Sequence, residues 1–295
     1  MKVGITILSG LVGEYVGWEP SRAWDRAVEM GRVAERLGFS YAWVPDHLQV
    51  VRGPADGPTF EAFTLLAAIA AETQRIRLGP GVACAAFRNP ALLVKMAMTL
   101  DVASNGRVDL AMGAGWHEGE WRGYGYGYPS ARERLALLRE ALEVVTRMFE
   151  PGPATWHGER FHVDGVISEP KGAGVSRIPI IVGGNGQKVT WRLAARFADE
   201  LNLDGPELSE ILEWLPIIRQ RCEEIDRDPG TLALSAEIWW RDSTGEERVD
   251  RLGQIADLGL ARIHSHLRDA VDSDEPLISF AEDCRAAGIE MEANS

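Results

Sequence analysis

Two spacings of apolar residues alternate along the whole chain. Short runs rich in Val, Ile and Leu, bounded by Gly, Pro or Asp, predict strands at residues 2–8, 41–46, 76–82, 107–113, 179–184, 200–204, 232–240 and 262–267. Between them, apolar positions return every three or four residues, the spacing of a helix that buries one face. Such stretches predict helices at 21–37 behind Ser21, 59–72, 90–103 opening on Pro90, and 130–148 behind Ser130, with serine as the cap and proline in the first turn. Each helix is long enough to carry the chain back across a sheet, so neighbouring strands run parallel.

Eight strand–helix units in 295 residues match a (β/α)8 TIM barrel; an open doubly wound sheet more often has fewer strands and a second domain. The expectation is an α/β fold: a single TIM-barrel domain over residues 1–295, with an insertion after the fourth helix. The insertion is residues 150–178, too long for a simple connection. Its alternating run "ATWHGERFHV" predicts a hairpin over the barrel mouth.

Composition then removes several classes of partner. The 44 acidic against 31 basic side chains give a formal net charge of -13, which repels a polyanion, so no nucleic acid is expected. No run of roughly 18 apolar residues predicts a membrane span, and "MKVGITILSG" is too short a stretch for a signal sequence, so a cytoplasmic protein is expected. Cys84, Cys222 and Cys284 are too scattered for a disulfide framework or a metal knuckle.

The chemistry concentrates at the strand ends, because in a barrel the C-terminal ends of the strands build the active site. The fifth strand runs into "VGGNGQK", a glycine turn followed at once by a helix. Free backbone N–H groups and the positive end of a helix converge there on an anion. As a dinucleotide fingerprint the turn fails, since Val189 stands where a third glycine or alanine belongs. Gly183, Gly184, Asn185, Gly186 and Gln187 are therefore read as a phosphate loop, with Lys188 or Arg192 as counter-charges; the alternative is a tight turn with no ligand.

Asp46 and His47 follow the second strand, where an imidazole can shuttle a proton near neutral pH; the alternative is a helix-capping acid beside a surface histidine. Gly81, Val82, Ala83 and Cys84 form a small-residue lip suited to a flat ring. After the fourth strand, Gly113 and Gly115 precede Trp116, His117, Glu118 and Glu120, among which a proton donor is sought; a solvated helix start explains the two glutamates as well. Asn202 ends the sixth strand. His264 and His266 share a face of the eighth and would be able to chelate, but no carboxylate or cysteine adjoins them in sequence, so no metal is expected. Trp18, Trp43, Trp116 and Tyr124 are candidate walls of a substrate pocket or plain packing.

Taken in order, "GFSYAWVPDHL", "RIRLGPGVACAAFRNPALLVKMAMTLDVASNGRVDLAMGAGWHEGEW", "IPIIVGGNGQKVTWRLAARFADELNL" and "RCEEIDRDPGTL" cover most of the chain. Together they resemble the luciferase-like monooxygenase superfamily, and more closely its coenzyme F420-dependent oxidoreductase branch. The resemblance implies a deazaflavin across the barrel mouth, its phosphate at Gly183 to Gln187 and its ring flanked by Asp46 and His47. It also implies a non-prolyl cis peptide at Gly81–Val82, cofactor contacts from Ala83, Cys84 and His117, and a homodimer. The chain departs from the family at Cys84, where a hydroxyl is common, and at His117, where asparagine is common.

A deazaflavin moves hydride and does not usefully activate oxygen, so the implied reaction is hydride transfer between the reduced coenzyme and a small organic C=C, C=N or C=O compound, or the reverse. Asp46, His47, His117 and Glu118 are the catalytic candidates, with His47 polarising or protonating the acceptor. The alternatives are an FMN-dependent monooxygenase of the same superfamily and a barrel that binds flavin or deazaflavin without turnover.

Overall fold

The computed structural model describes residues 1–53, 56–173, 177–240 and 245–292. In chain order the strands are β1 (Lys2–Thr6), β2 (Tyr41–Val44), β3 (Arg77–Pro80), β4 (Ala83–Cys84), β5 (Leu110–Gly113), β6 (Ala154–His157), β7 (His162–Val166), β8 (Ile180–Gly183), β9 (Glu200–Asp204), β10 (Ala233–Trp239) and β11 (Arg262–His266). The helices are α1 (Pro20–Leu37), α2 (Ala62–Glu72), α3 (Pro90–Ala103), α4 (Glu118–Gly123), α5 (Ala131–Phe149), α6 (Thr190–Phe197), α7 (Leu208–Glu223), α8 (Glu246–Asp257) and α9 (Glu275–Ala286).

All strands but β6 and β7 form one parallel sheet in the order β3-β2-β1-β11-β10-β9-β8-β5-β4. It closes where Leu78 of β3 bridges Val108, just ahead of β5: the Leu78 N–H donates to the Arg107 carbonyl at 2.8 Å and the Asp109 N–H to the Leu78 carbonyl at 2.9 Å. β3 and β4 flank a cis Gly81–Val82 peptide and share one position, so the ring has the eight positions of a TIM barrel.

Local chemistry explains most boundaries. Ser130 caps α5 in a reciprocal capping box with Glu133, and Asn89 caps α3 with Pro90 in the first turn. Two starts differ from expectation. Ser21 lies inside α1, which begins at Pro20, and α2 begins three residues late because the Glu61 carboxylate accepts the Thr64 N–H and caps it there.

The strands' outward residues, Val3 and Ile5 among them, pack with the helices into one continuous apolar shell. The barrel interior is different. Arg262 on β11 bonds the Glu200 carboxylate on β9 at 2.7 Å and, across the lumen, Asp109 at 2.8 Å; Arg77 joins Asp109 from β3, and the guanidinium of Arg262 lies 3.9 Å over the Tyr41 ring. Above this ionic floor, Asn202 donates to Ser235 at 2.9 Å, and Trp43 stacks on His264 with ring centres 3.5 Å apart.

The insertion forms an antiparallel hairpin, β6–β7, but it does not cover the mouth. It lies along the outside of α5: the N–H groups of Arg160 and Phe161 donate to the buried Glu140 carboxylate at 2.8 and 3.1 Å, and Arg147 stacks on Trp156 at 4.2 Å. Glu140, a buried carboxylate of α5, holds the hairpin turn there together with the Arg147–Trp156 contact.

Arg262→Met should leave Glu200 buried without its counter-charge and Asp109 with Arg77 alone, and lower stability by about 3–5 kcal/mol in urea unfolding. A loss below about 1 kcal/mol would show that the floor is not held by this pair network.

Candidate active site

The C-terminal ends of the strands surround a cavity of about 480 Å³. Its floor is a surface nearly free of side chains, formed by Gly81–Val82, Cys84, Gly113 to Gly115 and Gly183–Gly184. The glycines are required by close approach. A Cβ on Gly183 would sit 2.8 Å from Val82, one on Gly113 2.7 Å from the same side chain, and one on Gly81 2.8 Å from Trp43 beneath it. Val82 thus fills the space these glycines leave, and the cis Gly81–Val82 peptide carries it there. The result is a slot suited to a planar group. Ala83 is buried behind the slot and does not line it.

Beside the floor stand Asp46 and His47. Both oxygens of Asp46 are engaged by Arg88, each at 2.8 Å, and one also accepts the Cys84 N–H at 2.9 Å. Arg88 in turn reaches Glu61, the cap of α2. Asp46 therefore borders the cavity as an anchor for the floor. The Cys84 thiol is pushed up to about 12 by burial, so it stands at the floor as a neutral group.

His47 has a different partner. Its Nδ1 lies 2.9 Å from the Glu120 carboxylate, whose other oxygen accepts the Leu48 N–H, and Glu120 is 1% exposed against 17% for the imidazole. With Nδ1 held, Nε2 is the ring nitrogen left for a ligand. Glu118, the carboxylate selected from sequence, points away from the cavity: it is 54% exposed and pairs with Arg122 one turn on. The two glutamates flank one residue on α4, and two helical steps turn them to opposite sides. His117 is also not in the cavity lining; its Nδ1 accepts the Glu120 N–H at 3.3 Å and caps α4.

Gly183 and Gly184, which open the glycine turn, line the same cavity, whereas Asn185, Gly186 and Gln187 are not in its lining. Gly184 takes φ +125°, which only glycine adopts readily, and its N–H donates to Asn202 at 3.0 Å, tying the turn to β9. The Asn185 amide clips Asp204 by two bonds, donating to its carbonyl at 2.8 Å and accepting its N–H at 3.0 Å, so that side chain is structural. The backbone N–H groups of Asn185, Gly186, Gln187 and Lys188 have no partner among the described residues. They precede α6, whose first residue, Thr190, lines the cavity. A Cβ on Gly186 would meet the Thr190 hydroxyl at 2.5 Å. Thr190 was not foreseen, although a hydroxyl opening a helix after a glycine turn is the signal for it. Of the expected counter-charges, Arg192 is taken by Glu224 at 2.7 Å, and Lys188 is exposed without an ion pair among the described residues.

On β9 and β10 the wall carries Asp204 and Glu237, paired in register, with Arg52 beside them between the rings of Trp116 and Trp239 at 5.8 and 5.6 Å. Of the four aromatic candidates only Trp116 lines the cavity; Trp43 is buried beneath the floor, and Tyr124 and Trp18 lie outside it. His264 and His266 are buried below, stacked under Trp43 and Trp239, and burial pushes His266 down to about 3. No group of three or more metal-binding side chains occurs among the described residues.

A family model described as luciferase-like monooxygenase matches residues 1–258. The chain belongs to the luciferase-like monooxygenase family. One relative, an F420-dependent glucose-6-phosphate dehydrogenase of Kineococcus radiotolerans, is 32% identical over 226 residues, covering 74% of this chain and 63% of that protein. The matched region is thus less than two thirds of that relative's length. An uncharacterized Mycobacterium bovis protein is 32% identical over 79% of this chain and 83% of its own. An F420-dependent secondary alcohol dehydrogenase in complex with an F420–acetone adduct superposes with a TM-score of 0.82 at 19% identity, over 97% of this chain and 98% of that one. A type II Baeyer–Villiger monooxygenase of Pseudomonas putida in complex with FMN gives 0.75 at 15% identity, over 99% of each chain. These two structures share the barrel fold of this chain.

In this luciferase-like barrel the imidazole is oriented by one carboxylate, so Glu120→Ala should free the His47 ring. Nitrogen-15 NMR is expected to show the fixed His47 tautomer replaced by an averaged one, with stability lower by about 1–3 kcal/mol from the orphaned Leu48 N–H. An unchanged tautomer would assign the orientation of His47 to another contact.

Proposed function

We propose that the protein is a cytoplasmic F420-dependent oxidoreductase that moves a hydride between the deazaflavin coenzyme and a small organic substrate. The observation that carries this reading is the side-chain-free slot over Val82, lined in the same cavity by Gly183, Gly184 and Thr190, which bracket a turn whose four backbone N–H groups have no partner among the described residues. A planar ring and a phosphate fit those two features, and the relatives named for F420 support the choice of coenzyme. No helix among the described residues is long and apolar enough to cross a membrane.

In this reading the glycine turn and Thr190 hold the phosphate by neutral donors and a helix terminus. Val82 and the floor glycines set the height of the ring, and Cys84 and the Asp46–Arg88 pair fix the floor against it. The bound deazaflavin supplies a ring carbon that gives or takes a hydride. Glu120 keeps the His47 Nε2 aimed into the cavity, where it hydrogen-bonds the coenzyme or substrate and handles a proton. We read the enzyme as a homodimer, with Leu92 and Val102 exposed on α3 as an apolar surface for the second copy.

Titration with F420 and with FMN, followed by fluorescence and visible absorbance, tests the coenzyme. Saturable binding of F420 is expected, and binding of FMN alone overturns the reading in favour of a flavin monooxygenase. His47→Ala should still bind F420 while turnover falls by about 10²-fold or more. Undiminished turnover removes His47 from the chemistry.

A further inference from the structure

The β9 and β10 wall of the cavity carries two carboxylates, and the glycine turn uses only the backbone of Asp204 and not its side chain. We propose that this wall, formed by Glu237 and Asp204, is the substrate end of the cavity, that it takes an uncharged carbonyl compound, and that Glu237 delivers the proton to its oxygen. The inference rests on the F420-dependent reading of the same cavity.

Three features of the wall carry it. Glu237 stands alone as a carboxylate in the apolar strand β10, three strand positions round the ring from β2 and His47, so the two groups reach the cavity from different sides. The Thr6 hydroxyl on β1 donates to Glu237 Oε1 at 3.3 Å, which leaves Oε2 as the oxygen that carries a proton. Trp239 and Trp116 line the same cavity with the Arg52 guanidinium 5.6 and 5.8 Å from their rings, so apolar surface adjoins a small polar centre.

Charge sets the substrate class. The groups facing Glu237 are Asp204 in register on β9, Arg52 from the loop after β2, the Thr6 hydroxyl on β1, and His264 in register on β11, which burial keeps neutral. The described lining has one arginine and no lysine against the carboxylates of Asp46, Glu120, Asp204 and Glu237. With Glu237 protonated and Asp204 beside Arg52, the wall has no excess of positive charge to hold the dianion of a phosphorylated substrate, whereas a ketone or aldehyde oxygen accepts a hydrogen bond from a neutral acid. Burial, and after it the Asp204 carboxylate, push Glu237 up to about 8, so near neutral pH it holds its proton, and Asp204 is itself raised by burial.

The step balances. The hydride leaves the reduced coenzyme for the carbonyl carbon with its electron pair, the carbonyl π pair moves to oxygen, and that oxygen takes the proton from Glu237. The products are an alcohol, the oxidised coenzyme and a Glu237 carboxylate, which solvent reprotonates. Alcohol oxidation runs the same path backwards.

The test begins without turnover. In the protein free of coenzyme, folded Glu237 holds a proton that the unfolded chain has already released, so stability falls as pH rises from the ordinary carboxyl range to about 8. Glu237→Gln should flatten that fall in thermal melts, and Asp204→Asn should shift it to lower pH by removing the neighbouring charge. F420 binding by fluorescence should survive in both variants; if the wild type fails to bind F420, the coenzyme reading fails, and this proposal with it.

With F420 bound, steady-state rates are measured for acetone, cyclohexanone and benzaldehyde with reduced coenzyme, and for glucose 6-phosphate with oxidised coenzyme. At least one uncharged carbonyl compound should exceed glucose 6-phosphate by about 100-fold in kcat/KM, and Glu237→Gln should lose about 10²-fold in kcat along with the alkaline limb of its pH profile. Turnover of glucose 6-phosphate at a comparable rate, no turnover of any of the three carbonyl compounds, or wild-type pH profiles in Glu237→Gln overturns the proposal while leaving the coenzyme reading in place.

Discussion

Everything at the mouth of this barrel rests on Arg262. Its guanidinium reaches Glu200 on β9 and Asp109 ahead of β5, and so connects strands that are not neighbours in the sheet. A barrel lumen of this kind is usually filled by branched apolar side chains in layers. Here the lowest layer is ionic, with Arg77 bonding Asp109, Ser235 donating to Glu200, and the Tyr41 ring lying against the Arg262 guanidinium. Charges taken out of water are tolerable only when fully paired, which makes the geometry of this layer all-or-none. It fixes the positions of β9 and β11 against β5, and the floor above inherits them.

That floor is defined by what is missing from it. Val82 occupies the volume that side chains at Gly113 and Gly183 would need, and Trp43 lies against Gly81 from below. The surface left over is flat because three separate strands present glycine at the same height. Polar groups then gather on its margins with distinct tasks: Asp46 is locked to Arg88, His47 is aimed by Glu120, and the glycine turn is clipped to Asp204 by Asn185. Each carboxylate that is fully bonded is a support, and those left facing the cavity with an unused oxygen are the ones available for chemistry.

Much of this was legible in the chain. Eight apolar runs and the intervening helical spacing are local properties, dictated by how a strand or a helix buries one face, and they name the barrel. The strand ends followed, and with them Asp46, His47 and the glycine turn, because parallel closure puts every C-terminal strand end on one rim. The exact partners were not legible. Glu118 and Glu120 look equivalent in "WHEGEW", and only the start of α4 at a His117 cap decides which of them turns inward. Glu237 carried a signal that went unread, a single carboxylate in "LALSAEIWW" on the same strand face as Ser235 and Trp239.

By itself, then, the sequence determined the order of elements, the rim that carries the chemistry, and the glycine positions where backbone approaches a ligand, since these depend on neighbours a few residues away. Tertiary structure decided the pairings: Arg262 with Asp109, His47 with Glu120, Glu237 with Asp204 and Thr6, and a hairpin drawn onto α5 by Glu140 instead of over the mouth. The physical reason is that which side chains meet across a lumen follows from the tilt and register at which eight strands close, a property of the ring as a whole and of no single segment.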